Sequence, residues 1–191
     1  MEKTAYTENV VLVDADFLDR VTFDLIVNFE RMIDRRIDAG DLCHWLDCVA
    51  LDGGLRPGDN QIQAIFLHSK DKKQLSHMKP SNFKEELHDK AFKDNLGEFG
   101  LLSYPVEELV SAEDFYVQVF QALVEEKQVK RILVVGDMAA YGERLKRICL
   151  EAEEKDITLF TMETTTGRGF AQEILGYSLM SALRIRSEEL K

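Results

Sequence analysis

Short apolar runs that end at a turn alternate along this chain with longer segments in which apolar residues recur at helical spacing. Residues 10–13 form a continuous valine-rich run, which is typical of a strand buried on both faces of a sheet. Residues 17–33 then place apolar side chains close to every 3.6 positions, which predicts a helix that ends before Gly40. The chain is therefore predicted to open with a buried strand and an amphipathic helix.

Two further apolar segments, 44–51 and 61–68, are predicted to be strands. The connection between them, residues 52–60, is rich in glycine, aspartate and other turn residues. Because this connection is too short to contain a crossover helix, we expect the two strands to pair as a hairpin.

Residues 69–104 are polar and weakly periodic, with many lysines among the acidic residues. This composition predicts an exposed insertion with one short helix near 83–92 and an extended piece at 99–104. Such a segment would lie outside the core of the domain.

The last third of the chain has the most regular pattern. Ser111 is a favourable N-cap, and Asp114 stands three residues later in place of the usual glutamate. Elements then alternate: a helix to about 127, a strand at 131–135, a helix at 141–154, a strand at 157–161 and a final helix at 170–184. This order predicts a single α/β domain over residues 1–191, with three layers and a mostly parallel central sheet.

Charge and cysteine content narrow the range of partners and compartments. The chain has 24 Lys and Arg residues against 35 Asp and Glu, a net charge of −11, which opposes broad binding to nucleic acid or an anionic membrane. Three scattered cysteines, Cys43, Cys48 and Cys149, are too few for a disulfide framework and indicate a reducing cytoplasm. The sequence has no signal-peptide pattern and no run of roughly 18 apolar residues, so no membrane association is expected.

Aspartates follow two of the predicted parallel strands. Asp14 and Asp16 follow the first strand, and Asp137 follows the strand at 131–135. Asp114 opens the helix before that strand and is expected near the same edge of the sheet. Carboxylates that converge there would bind Mg²⁺ or Mn²⁺, and the metal would polarise a phosphodiester or activate a water.

Each of these aspartates also has a purely structural interpretation. Aspartate after a strand is a common turn residue or helix N-cap. Asp14 or Asp16 could cap the first helix, and Asp114 could cap its own. The two interpretations differ in whether the carboxylates converge.

A second candidate site is the loop 164–169, predicted to lie between a strand and the final helix. Backbone N–H groups at a helix start can hold an anion, so Gly167 and Arg168 are candidate binding residues, with Arg168 as the clamp. The loop fits no Walker or dinucleotide fingerprint, and a flexible capping loop is the alternative.

The sequence resembles the NYN branch of PIN-like nucleases in the segments 11–17, 111–117 and 131–137. In that family one aspartate ends the first strand and a second opens the helix before the fourth strand. A Ser-Gly-Asp-x-Asp-Phe element ends the fourth strand, and these residues together bind metal for RNA cleavage. The resemblance implies a PIN/NYN-like fold.

By this resemblance, Asp14, Asp114 and Asp137 would be the matching catalytic and metal-binding residues. The second aspartate of the element that ends the fourth strand falls on Ala139 here. Loss of that ligand weakens a site for a hard cation. Together with the net charge of −11, it favours a degenerate or repurposed member of the family.

A second resemblance is to haloacid-dehalogenase-like phosphatases, which open with Asp-x-Asp. Asp14 would then be the nucleophile and Asp16 the acid/base. The usual Gly-Thr after that motif is replaced by residues 17–18, Phe-Leu, and the late acidic motif lacks its second aspartate.

These observations leave two main hypotheses for function. The first is a non-catalytic binding module with an unidentified protein partner, in which the final helix either packs in the core or forms a homodimer contact. The alternative is a Mg²⁺- or Mn²⁺-dependent ribonuclease that acts on RNA and uses Asp14, Asp114 and Asp137. Under the first hypothesis no cofactor is needed.

Overall fold

A computed structural model describes residues 5–191 as a central sheet with helices on both sides. The strands are β1 (Asn9–Asp14), β2 (Gly40–Asp41), β3 (Asn60–His68), β4 (Met78–Lys79), β5 (Lys90–Asp94), β6 (Gly97–Pro105), β7 (Arg131–Val135), β8 (Asp156–Thr161) and β9 (Ala171–Ile174). The α-helices are α1 (Ala15–Ile33), α2 (Leu42–Asp52), α3 (Ala112–Glu125), α4 (Met138–Glu151) and α5 (Leu175–Ala182). A π-helical turn, Phe83–Leu87, precedes β5, and a 3₁₀ turn, Ser187–Leu190, follows α5.

The main sheet has seven strands in the order β5-β6-β3-β1-β7-β8-β9. All neighbours are parallel except β5, which runs antiparallel to β6 at the edge. The chain builds outward from β1 through β3 to β6, then returns through α3 to β7 on the other side of β1. The carboxyl ends of β1 and β7 therefore form the topological switch point, where ligands bind in open α/β sheets.

Helices cover both faces of this sheet and make three layers. Val11 and Val13 of β1 face the cluster formed by α1, α2 and α5, whereas Val10 and Leu12 face the cluster formed by α3 and α4. All four side chains are fully buried. The predicted three-layer α/β fold with a mostly parallel sheet is confirmed, and the valine-rich run is a strand buried on both faces.

The segment 44–51, predicted to be a strand, lies instead in helix α2. Asp41 caps this helix, and its carboxylate accepts the backbone N–H of His44 at 3.1 Å. The buried side chains of α2 follow helical spacing: Leu42, Trp45, Leu46, Val49 and Ala50. The predicted hairpin between segments 44–51 and 61–68 is also wrong, because the second segment lies in β3, which pairs in parallel with β1.

Residues 69–104 are part of the core rather than an exposed insertion. The segment contributes β5 and β6 to the main sheet and β4 to a small two-stranded sheet with β2. Its sparse apolar side chains are buried: Leu75, Met78, Phe83, Leu87, Leu96, Phe99, Leu101 and Leu102. The predicted extended piece at 99–104 is confirmed within β6, and the predicted helix near 83–92 is limited to the π-helical turn.

The last third largely matches the prediction, with one correction. Ser111 caps α3 by accepting the backbone N–H of Asp114 at 3.1 Å. The final helix begins at Leu175 and not at residue 170, because residues 171–174 form β9 beside β8. None of the helices described for residues 5–191 has the length and apolar character needed to cross a membrane.

Candidate functional site

Two of the predicted aspartates lie together at the switch point, and each caps the helix that follows its strand. Asp14 ends β1 and accepts the backbone N–H of Phe17 at 3.1 Å. Asp137 follows β7 and accepts the backbone N–H of Ala140 at 3.2 Å. The capping interpretation therefore holds for both residues, and one oxygen of each carboxylate is occupied by it.

Tyr141 of α4 links these two aspartates. Its hydroxyl donates to the second carboxylate oxygen of Asp14 at 2.8 Å and accepts the backbone N–H of Asp137 at 2.9 Å. Both atoms of the hydroxyl group are thus used, and the ends of β1 and β7 are joined through one side chain.

A second tyrosine fills the space beneath Tyr141. Tyr116 of α3 is 1% exposed, and its hydroxyl lies 3.0 Å from the carbonyl of Leu12 and 3.2 Å from that of Val135. The two rings stack with centroids 4.7 Å apart. Where an open α/β sheet usually has a crevice, this protein has a packed aromatic pair.

Burial controls the protonation of this cluster. It raises the pKa of Asp14, an effect that the Phe17 N–H and the Tyr141 hydroxyl oppose and that the neighbouring charges of Asp16 and Asp137 increase. Burial also raises the pKa of Tyr141, so its hydroxyl remains a donor. The cluster therefore holds a proton to higher pH than an exposed aspartate would.

Tyr141→Phe is expected to lower the free energy of unfolding by about 1–2 kcal/mol, because Asp14 and the Asp137 N–H both lose a partner. The hydroxyl stabilises ionised Asp14, so its loss raises the pKa of Asp14 further. The destabilisation should then grow as pH rises above the ordinary range of an aspartate. Urea denaturation at pH 4.5 and 7.5 measures this, with Tyr177→Phe, at a 72% exposed residue, as the control.

A pH-independent effect of Tyr141→Phe would contradict the contact with Asp14.

Asp137 has a second partner from across the switch point. Its outer oxygen forms an ion pair with Arg20 of α1 at 2.7 Å, and the guanidinium also lies 5.5 Å from the centre of the Phe17 ring. The Arg20 side chain is 59% exposed, so this pair adds little to stability. It does place a positive charge where a metal ion would have to bind.

Asp114 does not join the other aspartates. Ala112 and Tyr116, four residues apart on one side of α3, line a small cleft of about 10 Å³ together with Asp14 and Asp16. Asp114 lies between them in sequence and so points to the other side of the helix, where it pairs with Arg144 at 2.8 Å. Arg144 lowers the pKa of Asp114, with a smaller contribution from its N-cap serine.

Asp16 is engaged as well. Both of its carboxylate oxygens accept the backbone N–H of Ser69, at 3.2 and 3.3 Å, and so anchor the chain that leaves β3. In the part of the chain described here, no three Asp, Glu, His or Cys side chains are placed to hold one metal ion. Asp14, Asp16, Asp114 and Asp137 therefore do not form the predicted metal-ligand set in this geometry.

The loop with Gly167 and Arg168 leads into β9 and not into a helix. Its predicted anion site therefore lacks the helix start on which that prediction rested. Arg168 is exposed, and the loop is held by Gln172, which accepts the Thr165 N–H at 2.9 Å. A Cβ at Gly167 would lie 2.7 Å from the ring of Phe170, so a larger residue there requires that ring to shift.

Comparison with known proteins gives a family but no function. A family model described as a family of unknown function, DUF6621, matches residues 3–190. The chain belongs to the DUF6621 family. Neither the curated proteins nor the solved structures contain a match to it.

In this DUF6621 member the residues that sequence reasoning missed are Tyr116, Tyr141 and Arg20. Tyr116 lies within the segment 111–117 that carries the resemblance to NYN nucleases, and Tyr141 lies shortly after the segment 131–137. Both are buried in the cluster between the sheet and the helices α3 and α4. Aromatic residues at helical core positions usually indicate packing alone. The hydroxyl contacts of Tyr141 to Asp14 and Asp137 could not be read from that pattern.

Proposed function

We propose that this domain is a non-catalytic binding module with a PIN/NYN-like fold. The observation that carries the proposal is that each carboxylate a nuclease would use already has a protein partner. The side-chain pairs are Asp14 with Tyr141, Asp137 with Arg20 and Asp114 with Arg144. A cation would have to displace these partners before the three carboxylates could ligate it.

The order of elements supports a relationship to the PIN/NYN fold. Taking β1, β3, β6, β7 and β8 as the five parallel core strands, Asp14 ends the first and Asp137 follows the fourth. Asp114 opens the helix before the fourth, as the resemblance implies. Ala139 occupies the first turn of α4, where the family carries its further aspartate. The chain thus keeps three acids at the family's positions along the order of elements, although Asp114 points away from the other two, and it lacks the fourth.

We expect neither Mg²⁺ nor Mn²⁺ at millimolar concentration to raise the melting temperature. A ligand that binds only the folded state stabilises it in proportion to the logarithm of its concentration over Kd, so an absent site gives no shift. Asp137→Asn and the exposed loop variant Asp59→Asn should respond to metal as the wild type does. Differential scanning fluorimetry and an assay with labelled single-stranded RNA measure the two readouts.

A metal-induced shift that Asp137→Asn abolishes and Asp59→Asn retains, together with RNA cleavage, would overturn the proposal.

The second candidate is a Mg²⁺- or Mn²⁺-dependent ribonuclease. It is favoured by the proximity of Asp16 and Asp137 to Asp14: burial raises the pKa of Asp14, and the negative charges of these two neighbours raise it further. The haloacid-dehalogenase-like alternative would use Asp14 and Asp16, but Asp16 is bound to the Ser69 N–H and Asp14 to Tyr141. Both enzymatic alternatives require these carboxylates to give up their present partners, whereas a non-catalytic binding module does not.

We place the module in the cytoplasm. All three cysteines are free thiols, and Cys149 is buried, which suits a reducing compartment. An unidentified protein partner, a second copy of the chain or RNA remain the predicted macromolecular partners.

A further inference from the structure

The carboxyl ends of β3 and β6 open onto a pocket of about 480 Å³ that the aspartate cluster does not include. Its volume falls in the range of small-molecule sites, roughly 300–1,000 Å³. Two aromatic rings form its floor: His68 and Phe83 lie parallel, with centroids 4.0 Å apart and planes tilted by 4°. Both residues are more than nine-tenths buried, so only a small part of this stacked pair reaches the pocket.

The two aromatic side chains of the floor are uncharged. His68 donates its Nδ1–H to the carbonyl of Ser69 at 2.9 Å, which fixes the tautomer. Burial lowers the pKa of His68, so the ring is neutral at pH 7. Apolar ligand atoms can therefore lie against this surface without stripping water from a charge.

Positive charge surrounds this floor. Lys70, Lys72, Lys73 and Lys84 line the pocket, and Glu85 is the single carboxylate among the lining residues. In a chain with a net charge of −11, this is a local reversal of sign. A field of this kind attracts a small anion into one position.

Two of the four lysines are already paired with acids. Lys72 forms an ion pair with the buried Asp19 at 2.6 Å, and Lys70 pairs with Glu108. Lys73 and Lys84 have no ion-pair partner within residues 5–191, and both are exposed at the rim. The pocket therefore contains two ammonium groups without an ion-pair partner, and Glu85 is the one carboxylate that lines it beside them.

We propose that this pocket binds a small phosphorylated molecule with an aromatic ring, of which a nucleoside monophosphate is the simplest case. The ring lies against the floor of His68 and Phe83, and the phosphate is held by Lys73 and Lys84. Lysine binds phosphate as a point charge, and two such charges match a phosphate dianion. This inference rests on the proposed function, because it names the class of ligand that the proposed binding module binds.

A mononucleotide fits better than a nucleic acid strand. The net charge of −11 repels a long polyanion, whereas a single phosphate feels mainly the lysines beside it. The pocket volume of about 480 Å³ is sufficient for one base and its sugar.

Isothermal titration calorimetry of the full chain with adenosine 5′-monophosphate tests the site. We expect saturable binding, with adenosine and inorganic phosphate each at least tenfold weaker because each carries half of the recognised chemistry. Phenyl phosphate distinguishes the two kinds of ligand. Affinity equal to that of adenosine 5′-monophosphate indicates a site for any aromatic phosphate, and weaker affinity indicates a site for a nucleotide. The double variant Lys73→Met/Lys84→Met should lose at least tenfold in affinity.

The matched control is Lys90→Met/Lys130→Met, which removes the same charge from two exposed positions outside the pocket. It should bind as the wild type does, and all variants should keep the wild-type melting temperature. Absence of binding at millimolar nucleotide, or equal loss in both double variants, would overturn the pocket.

The nucleotide titration is combined with the metal-dependent melting and RNA-cleavage measurements described above, and the combination separates this inference from the proposed function. Nucleotide binding, together with RNA cleavage and a metal-induced stabilisation that needs Asp137, would retain the pocket proposal and overturn the non-catalytic module. No nucleotide binding and no response to metal would overturn the pocket alone.

Discussion

Gly136→Ala is expected to destabilise the fold by about 2–3 kcal/mol, because the switch point has no room for a methyl group. A Cβ at residue 136 would lie 2.6 Å from the Tyr141 hydroxyl oxygen and 3.0 Å from a ring carbon of Tyr116. Neither ring can withdraw easily. The Tyr141 hydroxyl is bound to Asp14 and to the Asp137 N–H, and Tyr116 is fully enclosed.

Urea denaturation measures this change, with Gly100→Ala as the matched control. Gly100 lies in β6, and a Cβ there would have no heavy atom within 4 Å, so its substitution should cost little. Adding Tyr141→Phe to Gly136→Ala removes the closest atom, so the two changes together should cost less than their sum. Equal stability of the two glycine variants would show that the aromatic pair yields, and the switch point would then be open to a ligand.

Asp19→Ala is expected to lower the free energy of unfolding by about 3 kcal/mol, because it removes one partner of a buried ion pair. Asp19 is 5% exposed on α1, and its two oxygens accept the Ser76 N–H at 3.0 and 2.8 Å. It also pairs with Lys72 at 2.6 Å. Its removal leaves a backbone donor and a half-buried ammonium without a partner, and it releases the segment that carries the lysine pocket.

The control for this variant is Asp24→Ala, an exposed position on the same helix. Urea denaturation gives the change in stability, and hydrogen exchange at residues 69–81 shows where order is lost. If Asp19→Ala matches the control in both measurements, α1 does not anchor the pocket segment.

A segment's secondary structure could be predicted where its hydrophobic pattern fitted only a strand or only a helix. The valine-rich runs at β1 and β7 are buried on both faces and could be read directly. Segment 44–51 offered two periods at once: Leu46, Cys48 and Ala50 alternate as in a strand, whereas Trp45, Leu46 and Val49 repeat as in a helix. Eight residues are too few to decide between these periods, and the Asp41 cap was the missed signal.

Residues 69–104 were misjudged for a different reason. Their lysines and acids dominate the composition, but isolated residues such as Leu75 and Phe83 fill the core. Whether a few scattered apolar side chains are buried depends on which distant parts of the chain pack against them. The local sequence does not contain that information.

The candidate site was predictable only in part. The rule that parallel strands end at one edge placed Asp14 and Asp137 together. Asp114 was misplaced because its position depends on the rotation of α3, which Tyr116 fixes by reaching the carbonyls of Leu12 and Val135. Long-range pairing of Arg20 with Asp137 leaves no trace in local sequence.

The central position of β1 has a consequence for how the chain is made. Asn9 pairs with Arg131, so one edge of β1 has no partner until β7, which is synthesised far later, has been made. Meanwhile β1, β3 and β6 can form a half-sheet whose apolar edge at residues 10–13 is open. We therefore expect nascent chains that stop before β7 to aggregate more readily than the complete domain.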